Sequence, residues 1–392
     1  MKSLHVLCLA LALSGSAIEI SAETTPLTKW KYPTKAFPWV TIVKEEEVTM
    51  SSGKGYLSPG GVKVKVGTPR ALTGLSELEA LNPGLSKALP DLPLMLKGAT
   101  IAPEFAQLYA SKKKRVLRGN PLEEYNYFDC ATVLRLSHPK TQRAVLFIQA
   151  DMDVDTDGSD PVRFGSEEDY ADSLTSRSFL PMLSYRWDQP AGVTHPLIPY
   201  FKNTVHHLTQ YQAEVHAGLE KGTYPLWQRS IMRQVEEACE LEATKLRETF
   251  IRRASGRIPG NVRDMQSSSS LLGTYDPFIV IPSNWFGDSN REVKIGDYAV
   301  VIVNQKVYPA IVADAGPTAQ CGEASLKICR EIEPKSSGIF RAVNGPKATY
   351  LVFTHSATGS PGPLNTDALR KTIDTLLSEI GSVGAPEIMH AW

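Results

Sequence analysis

The stretch that most constrains this chain runs from residue 298 to residue 330 and reads YAVVIVNQKVYPAIVADAGPTAQCGEASLKICR. Its first half contains two apolar runs of strand length, separated at Asn304-Gln305-Lys306. Two such runs around a short polar break predict a buried β-hairpin. Asp314 comes at the end of the second run, and the turn pair Gly316-Pro317 stops the strand. The pattern therefore places a carboxylate at the mouth of a hairpin.

A second carboxylate, Glu323, follows shortly after Asp314. It opens a segment whose apolar residues recur at helical spacing, namely Leu326, Ile328, Cys329 and Ile332. This spacing predicts that Glu323 lies in the first turn of a short helix. The loop between the two carboxylates is short enough to fold both toward one cleft.

Two carboxylates in one cleft are what glycosidic bond cleavage needs. One protonates the leaving oxygen, and the other attacks the sugar or activates water. Asp at a strand end and Glu at a helix start are also common for structural reasons, and Glu323 in such a place can simply satisfy the helix dipole. Spacing alone leaves both interpretations open.

The segment VIVNQKVYPAIVADAGPTAQCGEASLKI resembles the core of the fungal-type chitosanases, glycoside hydrolase family 75. An acidic block at 152–158, MDVDTDG, is similar to that family's Met-Asp-x-Asp-x-Asp-Gly motif, and the apolar run at 275–280 resembles the one before its hairpin. The three blocks occur in the family's order. Two departures are Ala313, where Gly is expected, and Thr156, where fungal members tend to carry Cys.

The acidic block, together with Asp151 before it, has three interpretations. Because glucosamine units carry ammonium groups, carboxylates that face the substrate would select deacetylated chitosan. The same residues match the first half of a calcium loop, but that match fails further on, where Pro161 and Phe164 occupy ligand positions. A solvated acidic loop is the third interpretation. We take the first as the working hypothesis, with the substrate-binding residues Asp151, Asp153, Asp155 and Asp157.

The resemblance implies an endo-acting glycoside hydrolase that cleaves β-1,4 glucosaminidic bonds of chitosan with inversion, with Asp314 and Glu323 as the catalytic pair. A helix N-terminus would keep Glu323 ionised, as a base requires, and apolar surroundings would keep Asp314 protonated, as an acid requires. Two alternatives stay open. One is a non-catalytic exported protein that binds polysaccharide or calcium, and the other is hydrolysis of a different polysaccharide, since a fold does not determine a sugar.

The N-terminus has the pattern of a secretory signal, with Lys2, an apolar run over 6–13 and small residues up to Ala22. We therefore expect a signal peptide at 1–22 and a secreted, extracellular protein. Hydrophobic residues make up 42% of the chain, charged residues 21%, and the formal net charge is zero. This balance gives no sign of a nucleic-acid or membrane partner. We expect polysaccharide as the partner, a monomer, and neither a metal nor another cofactor.

Strand-like and helix-like segments are mixed without regular β-α alternation, which favours an α+β fold with an antiparallel or barrel-like sheet, flanking helices and a helical insertion. Residues 23–119 are predicted to be a partly ordered N-terminal extension that ends in a solvated basic cluster at 112–115. The chitosanase-like catalytic domain is expected at 120–385, with an insertion at about 161–255. Within it, the serine run 267–270 is predicted to be a loop.

Overall fold

The computed structural model describes residues 38–50, 62–117, 127–158, 160, 162–163, 182, 184–193, 213, 215–222, 268–286, 293–336, 341–382 and 387–392. The chain divides into two compact units. The larger comprises Pro26–Ser159, Gly165–Trp187 and Ser269–Trp392. In the smaller unit, residues 215–220 are helical. The expected signal peptide and most of the expected insertion lie outside the described residues, so both remain predictions.

The described helices are α1 (Leu75–Leu81), α2 (Leu85–Ala88), α3 (Leu92–Leu96), α4 (Pro103–Leu117), α5 (Leu326–Ile332) and α6 (Thr366–Glu379). The described strands are β1 (Ile42–Met50), β2 (Val62–Pro69), β3 (Thr100–Ile101), β4 (Cys130–Ser137), β5 (Ala144–Asp155), β6 (Arg186–Asp188), β7 (Ser268–Ser270), β8 (Phe278–Pro282), β9 (Tyr298–Val303), β10 (Lys306–Gly316), β11 (Glu323–Ser325) and β12 (Val343–Val352). None of these described helices is long and apolar enough to span a membrane.

Six strands of the larger unit close into a barrel-like sheet. They are hydrogen-bonded in the order β11, β8, β10, β9, β12 and β5, and β11 also pairs with β5, which closes the ring. β8 with β10 and β5 with β11 are parallel, whereas the other pairs in the ring are antiparallel. β4 and β3 extend the sheet beyond β5. The predicted α+β fold with a barrel-like sheet is confirmed.

The predicted hairpin is also confirmed, as β9 and β10. Its loop consists of Asn304 and Gln305, which have φ angles of 51° and 67°. Two positive φ values give the loop the backbone twist that matches the right-handed twist of the flanking strands. The loop fixes the register at Val303 opposite Lys306 and so determines where β10 ends.

Both faces of the sheet are covered, which explains the continuous apolar run of the central strand β9, YAVVIV. Val301 belongs to one apolar cluster, with Ile148 and Tyr350, whereas Val300 belongs to a second, with Leu78 of α1. Successive side chains of a strand point to opposite faces. A strand buried on both faces therefore contains a continuous apolar run. Helices α1 to α3 and α6 pack against the second face.

The described parts of the predicted extension, residues 38–50 and 62–117, belong to the larger unit. Leu78, Leu85 and Leu92 of its helices are almost fully buried. One detail of the sequence interpretation was wrong, because Lys112 in the basic cluster is buried and its Nζ lies 2.7 Å from Asp129. The run Ser268–Ser270 was also predicted wrongly, since it forms strand β7. The expectation that residues 23–119 lie outside the catalytic domain stays a prediction.

Candidate active site

Asp314 and Glu323 lie on strands that flank β8. In the register of the sheet, Asp314 on β10 is opposite Val280, and Glu323 on β11 is opposite the same Val280. Neighbouring strands are about 4.8 Å apart, so the two Cα atoms are separated by about two strand spacings, roughly 10 Å. A small irregularity in β10 between Val312 and Asp314 adjusts the end of that strand.

Glu323 is not in the first turn of a helix, as its spacing had predicted, but is the first residue of β11. Glu323 pairs with Val280 on one side and with Asp153 on the other. These two ladders take the place of helical hydrogen bonds, and the helix begins only at Leu326 with Ser325 as its N-cap. The helix dipole therefore does not act on Glu323 as expected.

The two carboxylates share an open cavity of about 480 Å³. Four acidic residues are among its lining, which consists of Val154, Asp155, Thr156, Asp157, Val280, Asp314, Ala315, Gly316, Pro317 and Glu323. The structure thus brings together both predicted catalytic residues and two of the four predicted substrate-binding residues. It joins the acidic block of β5 with the mouth of the β9–β10 hairpin, although the two are far apart in sequence.

Three glycines allow the acidic strands to approach closely. A Cβ on Gly316 would lie 2.8 Å from Cγ1 of Val280 and 3.3 Å from Oε2 of Glu323. At Gly322, where φ is +86°, a Cβ would lie 2.3 Å from the carbonyl oxygen of Asp151. At Gly273 it would lie 2.8 Å from the carbonyl oxygen of Asp155. Glycine at these positions keeps the backbone against β5 and keeps the Glu323 carboxylate free of a neighbouring methyl group.

The environment of Glu323 favours its protonated form. Burial is the largest cause and raises the pKa of Glu323 well above its ordinary value, and the negative charges of Asp155, Asp153 and Asp314 raise it further. Loss of water disfavours the charged form of a carboxyl group, and like charges do the same. Glu323 is therefore suited to hold a proton and to donate it.

Asp314 is in a different environment. Burial raises its pKa, but the backbone N–H of Ala315 and the hydroxyl of Ser184 hydrogen-bond its carboxylate and act in the opposite direction. Hydrogen bonds to the ionised form favour that form. Of the two residues, Asp314 is consequently the one whose negative charge has hydrogen-bond support.

Asp151 and Asp153 are held by a cation of the protein itself. Nη1 of Arg341 lies 2.5 Å from Asp151, and Nη2 lies 3.0 Å from Asp153. The side-chain amide of Gln320 donates a second hydrogen bond to Asp153, at 2.7 Å. Asp151 is only 1% exposed, and neither residue lines the cavity. Their role in binding ammonium groups stays a prediction, and Asp151 has no access to the cavity through which to perform it.

The described residues include no group of three or more His, Cys, Asp or Glu side chains arranged to hold a metal ion. In the stretch that resembles half of a calcium loop, Asp153 faces Arg341, whereas Asp155 and Asp157 line the cavity. The three carboxylates thus do not converge on one point.

Sequence analysis did not identify three residues that shape this site. Arg341 has no motif around it, and Ser184 belongs to the expected insertion, for which packing support was favoured over a role in lining the cleft. Gly316 was noted only as part of a turn. An arginine that pairs with acids distant in sequence leaves no local signal, so only the folded chain shows that it compensates the charges of β5.

Comparison with known families supports the resemblance. The family model described as fungal chitosanase of glycosyl hydrolase group 75 matches residues 228–389, which is less than half of the chain. The match includes Asp314 and Glu323 and excludes the acidic block at 152–158. The resemblance inferred from the sequence is thereby confirmed, and it supports a glycoside hydrolase of the chitosanase type. No curated protein matches the chain.

Proposed function

We propose that this protein is a secreted, monomeric endo-chitosanase that hydrolyses β-1,4 glucosaminidic bonds with inversion at the anomeric carbon. The observation that carries the proposal is the shared cavity, in which Asp314 and Glu323 flank Val280 within the segment matched by the chitosanase family. Inverting glycosidases separate their two carboxyl groups by about 6.5 to 9.5 Å so that a water molecule fits between base and sugar. A separation of roughly two strands between the Cα atoms is compatible with that requirement.

The environments of the two carboxylates favour Glu323 as the general acid and Asp314 as the general base. This assignment reverses the one expected from the sequence, because the helix N-terminus that was to keep Glu323 ionised is absent there. Glu323 donates its proton to the leaving oxygen as the glycosidic bond breaks. Asp314, whose charge is supported by Ser184 and Ala315, takes a proton from the water that attacks the anomeric carbon.

Asp157 is the best placed of the acidic-block residues to meet an ammonium group of the substrate. It lines the cavity, and its backbone is fixed by a 2.9 Å hydrogen bond from Gly273 N–H to its carbonyl oxygen. A charge-assisted hydrogen bond to a glucosamine ammonium would favour deacetylated chitosan over neutral chitin. Asp157→Asn should therefore raise KM for chitosan more than it lowers kcat.

The proposal is tested by incubating the mature protein with soluble chitosan, chitin oligomers and cellulose oligomers. Reducing ends are measured, and the first anomer formed is followed by proton NMR. We expect reducing ends from chitosan alone, with the α-anomer appearing first. Tight calorimetric binding of chitosan oligomers without any reducing ends would instead identify a non-catalytic binding protein, and release from chitin or cellulose alone would overturn the proposed substrate.

A further inference from the structure

A third carboxylate, Asp155, lies inside the candidate active site at the end of β5. It lines the same cavity as Asp314 and Glu323 and is only 6% exposed. Its Oδ1 accepts a hydrogen bond of 2.6 Å from the backbone N–H of Asp157, which fixes the carboxyl group. β5 and β11 are hydrogen-bonded neighbours, with Asp155 opposite Ser325 and Glu323 opposite Asp153. Asp155 is thus two residues along β5 from Asp153, the residue that is paired with Glu323.

The charge of Asp155 acts on Glu323 more strongly than that of any other described carboxylate. After burial, Asp155 is the largest cause that raises the pKa of Glu323, ahead of Asp153 and Asp314. Burial and the charge of Asp314 in turn raise the pKa of Asp155 to about 7. Asp155 therefore interacts electrostatically with both members of the proposed catalytic pair.

We propose that Asp155 is a positioning residue that keeps the proton of the site on Glu323 between turnovers, so that Asp155, Asp314 and Glu323 exchange protons as one unit. This inference rests on the proposed function, because it assigns a role within the same reaction. It differs from the substrate-binding role that the sequence suggested for Asp155.

The proton balance of inverting hydrolysis explains why a proton has to return to Glu323 after each turnover. In one turnover, the proton of Glu323 moves to the leaving oxygen, and a proton of the attacking water moves to Asp314. Glu323 is then ionised and Asp314 protonated, so one proton has to move back before the next cycle. Above its pKa of about 7 Asp155 is ionised, and its negative charge then makes ionised Glu323 unfavourable and directs this proton to Glu323.

Other groups around Glu323 belong to three elements. Asp153 lies on the same strand as Asp155, Asp314 lies on β10, and the thiol of Cys329 lies on α5. The charge of Asp153 is partly compensated by Arg341, with an Nη2 to Oδ1 distance of 3.0 Å. Among the described residues no cation compensates the charge of Asp155 in the same way, and its pKa depends on burial, on the charge of Asp314 and on the N–H of Asp157. Asp155 is therefore the acid whose removal should change the titration of Glu323 most.

The first test is the pH profile of kcat/KM for Asp155→Asn. Asn retains an Oδ1 that can accept the hydrogen bond from Asp157, so the variant removes charge and little else. With one negative charge gone, Glu323 loses its proton more easily, and the alkaline limb should move to lower pH by about one unit, which corresponds to a tenfold change in its ionisation constant. Asp374→Asn, an exposed position on α6, is the matched control and should leave the limb in place. An unchanged limb in Asp155→Asn would overturn the proposal.

A second test needs no hydrolysis and so separates this inference from the proposed function. Infrared titration follows the C=O stretch of protonated carboxyl groups, and the band lost in Glu323→Gln identifies Glu323. We expect that band to titrate at lower pH in Asp155→Asn than in wild type, even if no polysaccharide is cleaved. If Asp155→Asn does not fold, Asp314→Asn is titrated instead and should lower the pH at which the Glu323 and Asp155 carboxyls titrate, because the charge of Asp314 raises both pKa values. A Glu323 band that titrates at the same pH in Asp155→Asn as in wild type would contradict the inference.

Discussion

At the scale of single residues, the site depends on what surrounds each carboxylate. Asp314 and Glu323 were both expected from the sequence because their strand-turn context and family resemblance are local features. The sequence suggested the opposite protonation preferences, since burial, the hydroxyl of Ser184 and the charge of Asp155 all come from other parts of the chain. The identity of catalytic candidates can thus be predicted from local sequence, whereas their acid and base roles require the folded environment.

A prediction at this scale concerns Gly316, whose missing side chain leaves space for Glu323. In Gly316→Ala the new Cβ would lie 2.8 Å from Val280 Cγ1 and 3.3 Å from Glu323 Oε2, so the carboxylate has to move. The Glu323 carboxylate has to give way by only a few tenths of an ångström, less than the roughly 1 Å that can cost up to about 10²-fold, so we expect kcat on chitosan to fall several-fold, up to about tenfold.

The control for this prediction is Gly362→Ala. A Cβ at Gly362 would meet no atom within 4 Å, and its φ is not in the left-handed region. The control should keep wild-type kcat. Equal activities of the Gly316 and Gly362 variants would show that the shape of the cavity at Gly316 does not matter for turnover.

At the scale of elements, the strand β11 is the part that sequence periodicity predicted wrongly. Its three residues precede α5 directly, and the apolar spacing of the helix continues backward into them. Tertiary pairing with β8 and β5 decides the conformation, because those ladders satisfy backbone groups on both sides. By contrast, the hairpin of β9 and β10 was predicted well, since its turn and its strands are specified by neighbouring residues.

The prediction at this scale concerns Gly322, which directly precedes β11. Its φ is +86°, and a Cβ would lie 2.3 Å from the backbone oxygen of Asp151, which cannot rotate away. Gly322→Ala combines an unfavourable φ with a steric clash, so we expect a loss of about 2 to 4 kcal/mol in the free energy of unfolding.

Gly345→Ala separates the two effects of Gly322→Ala, which are the unfavourable φ and the steric clash. Gly345 has a φ of +73°, but a Cβ there would meet no atom within 4 Å, so the variant has only the conformational penalty of about 1 kcal/mol. Chemical denaturation of both variants measures the difference. If the two losses are equal, the close approach of β11 to β5 contributes nothing to stability.

At the scale of the whole molecule, the larger unit concentrates buried and half-buried acids at one part of its sheet. Asp129, Asp151, Asp153, Asp155, Asp314 and Glu323 all have a raised pKa, with burial as the largest cause in each case. Sequence predicted the α+β class and the barrel-like sheet. It did not predict that Lys112 and Arg341 would compensate part of this charge, because the partners of both cations are distant in the sequence.

The pH dependence of stability follows from these raised values. Between the unfolded pKa near 4 and the folded values, about 7 for Asp155, the folded chain binds more protons than the unfolded chain. Stability therefore falls as pH rises through this window. The pKa values of Glu77 and Glu79 are lowered, so these residues change the stability only below their ordinary pKa of 4.5. The pKa of His390 is also lowered, so the titration of this one group makes stability rise with pH and opposes the trend.

We expect the midpoint of urea unfolding to be higher at pH 5 than at pH 8. Glu323→Gln removes one of the groups responsible, so its midpoint should depend less on pH than that of wild type. Asp374→Asn, at an exposed position, serves as the control and should retain the wild-type dependence. Stability that rises from pH 5 to pH 8 would contradict the assignment of protonated buried acids to this site.

The most direct test of the central claim is the rate of reducing-end release from chitosan by Asp314→Asn and Glu323→Gln, each compared with wild type and with Asp374→Asn. Loss of a general acid or base costs about 10² to 10⁴ in rate, so both variants should lose at least a hundredfold while remaining folded, and the control should keep wild-type activity. If wild type releases reducing ends and either variant stays within a few-fold of it, the proposed pair does not perform the reaction.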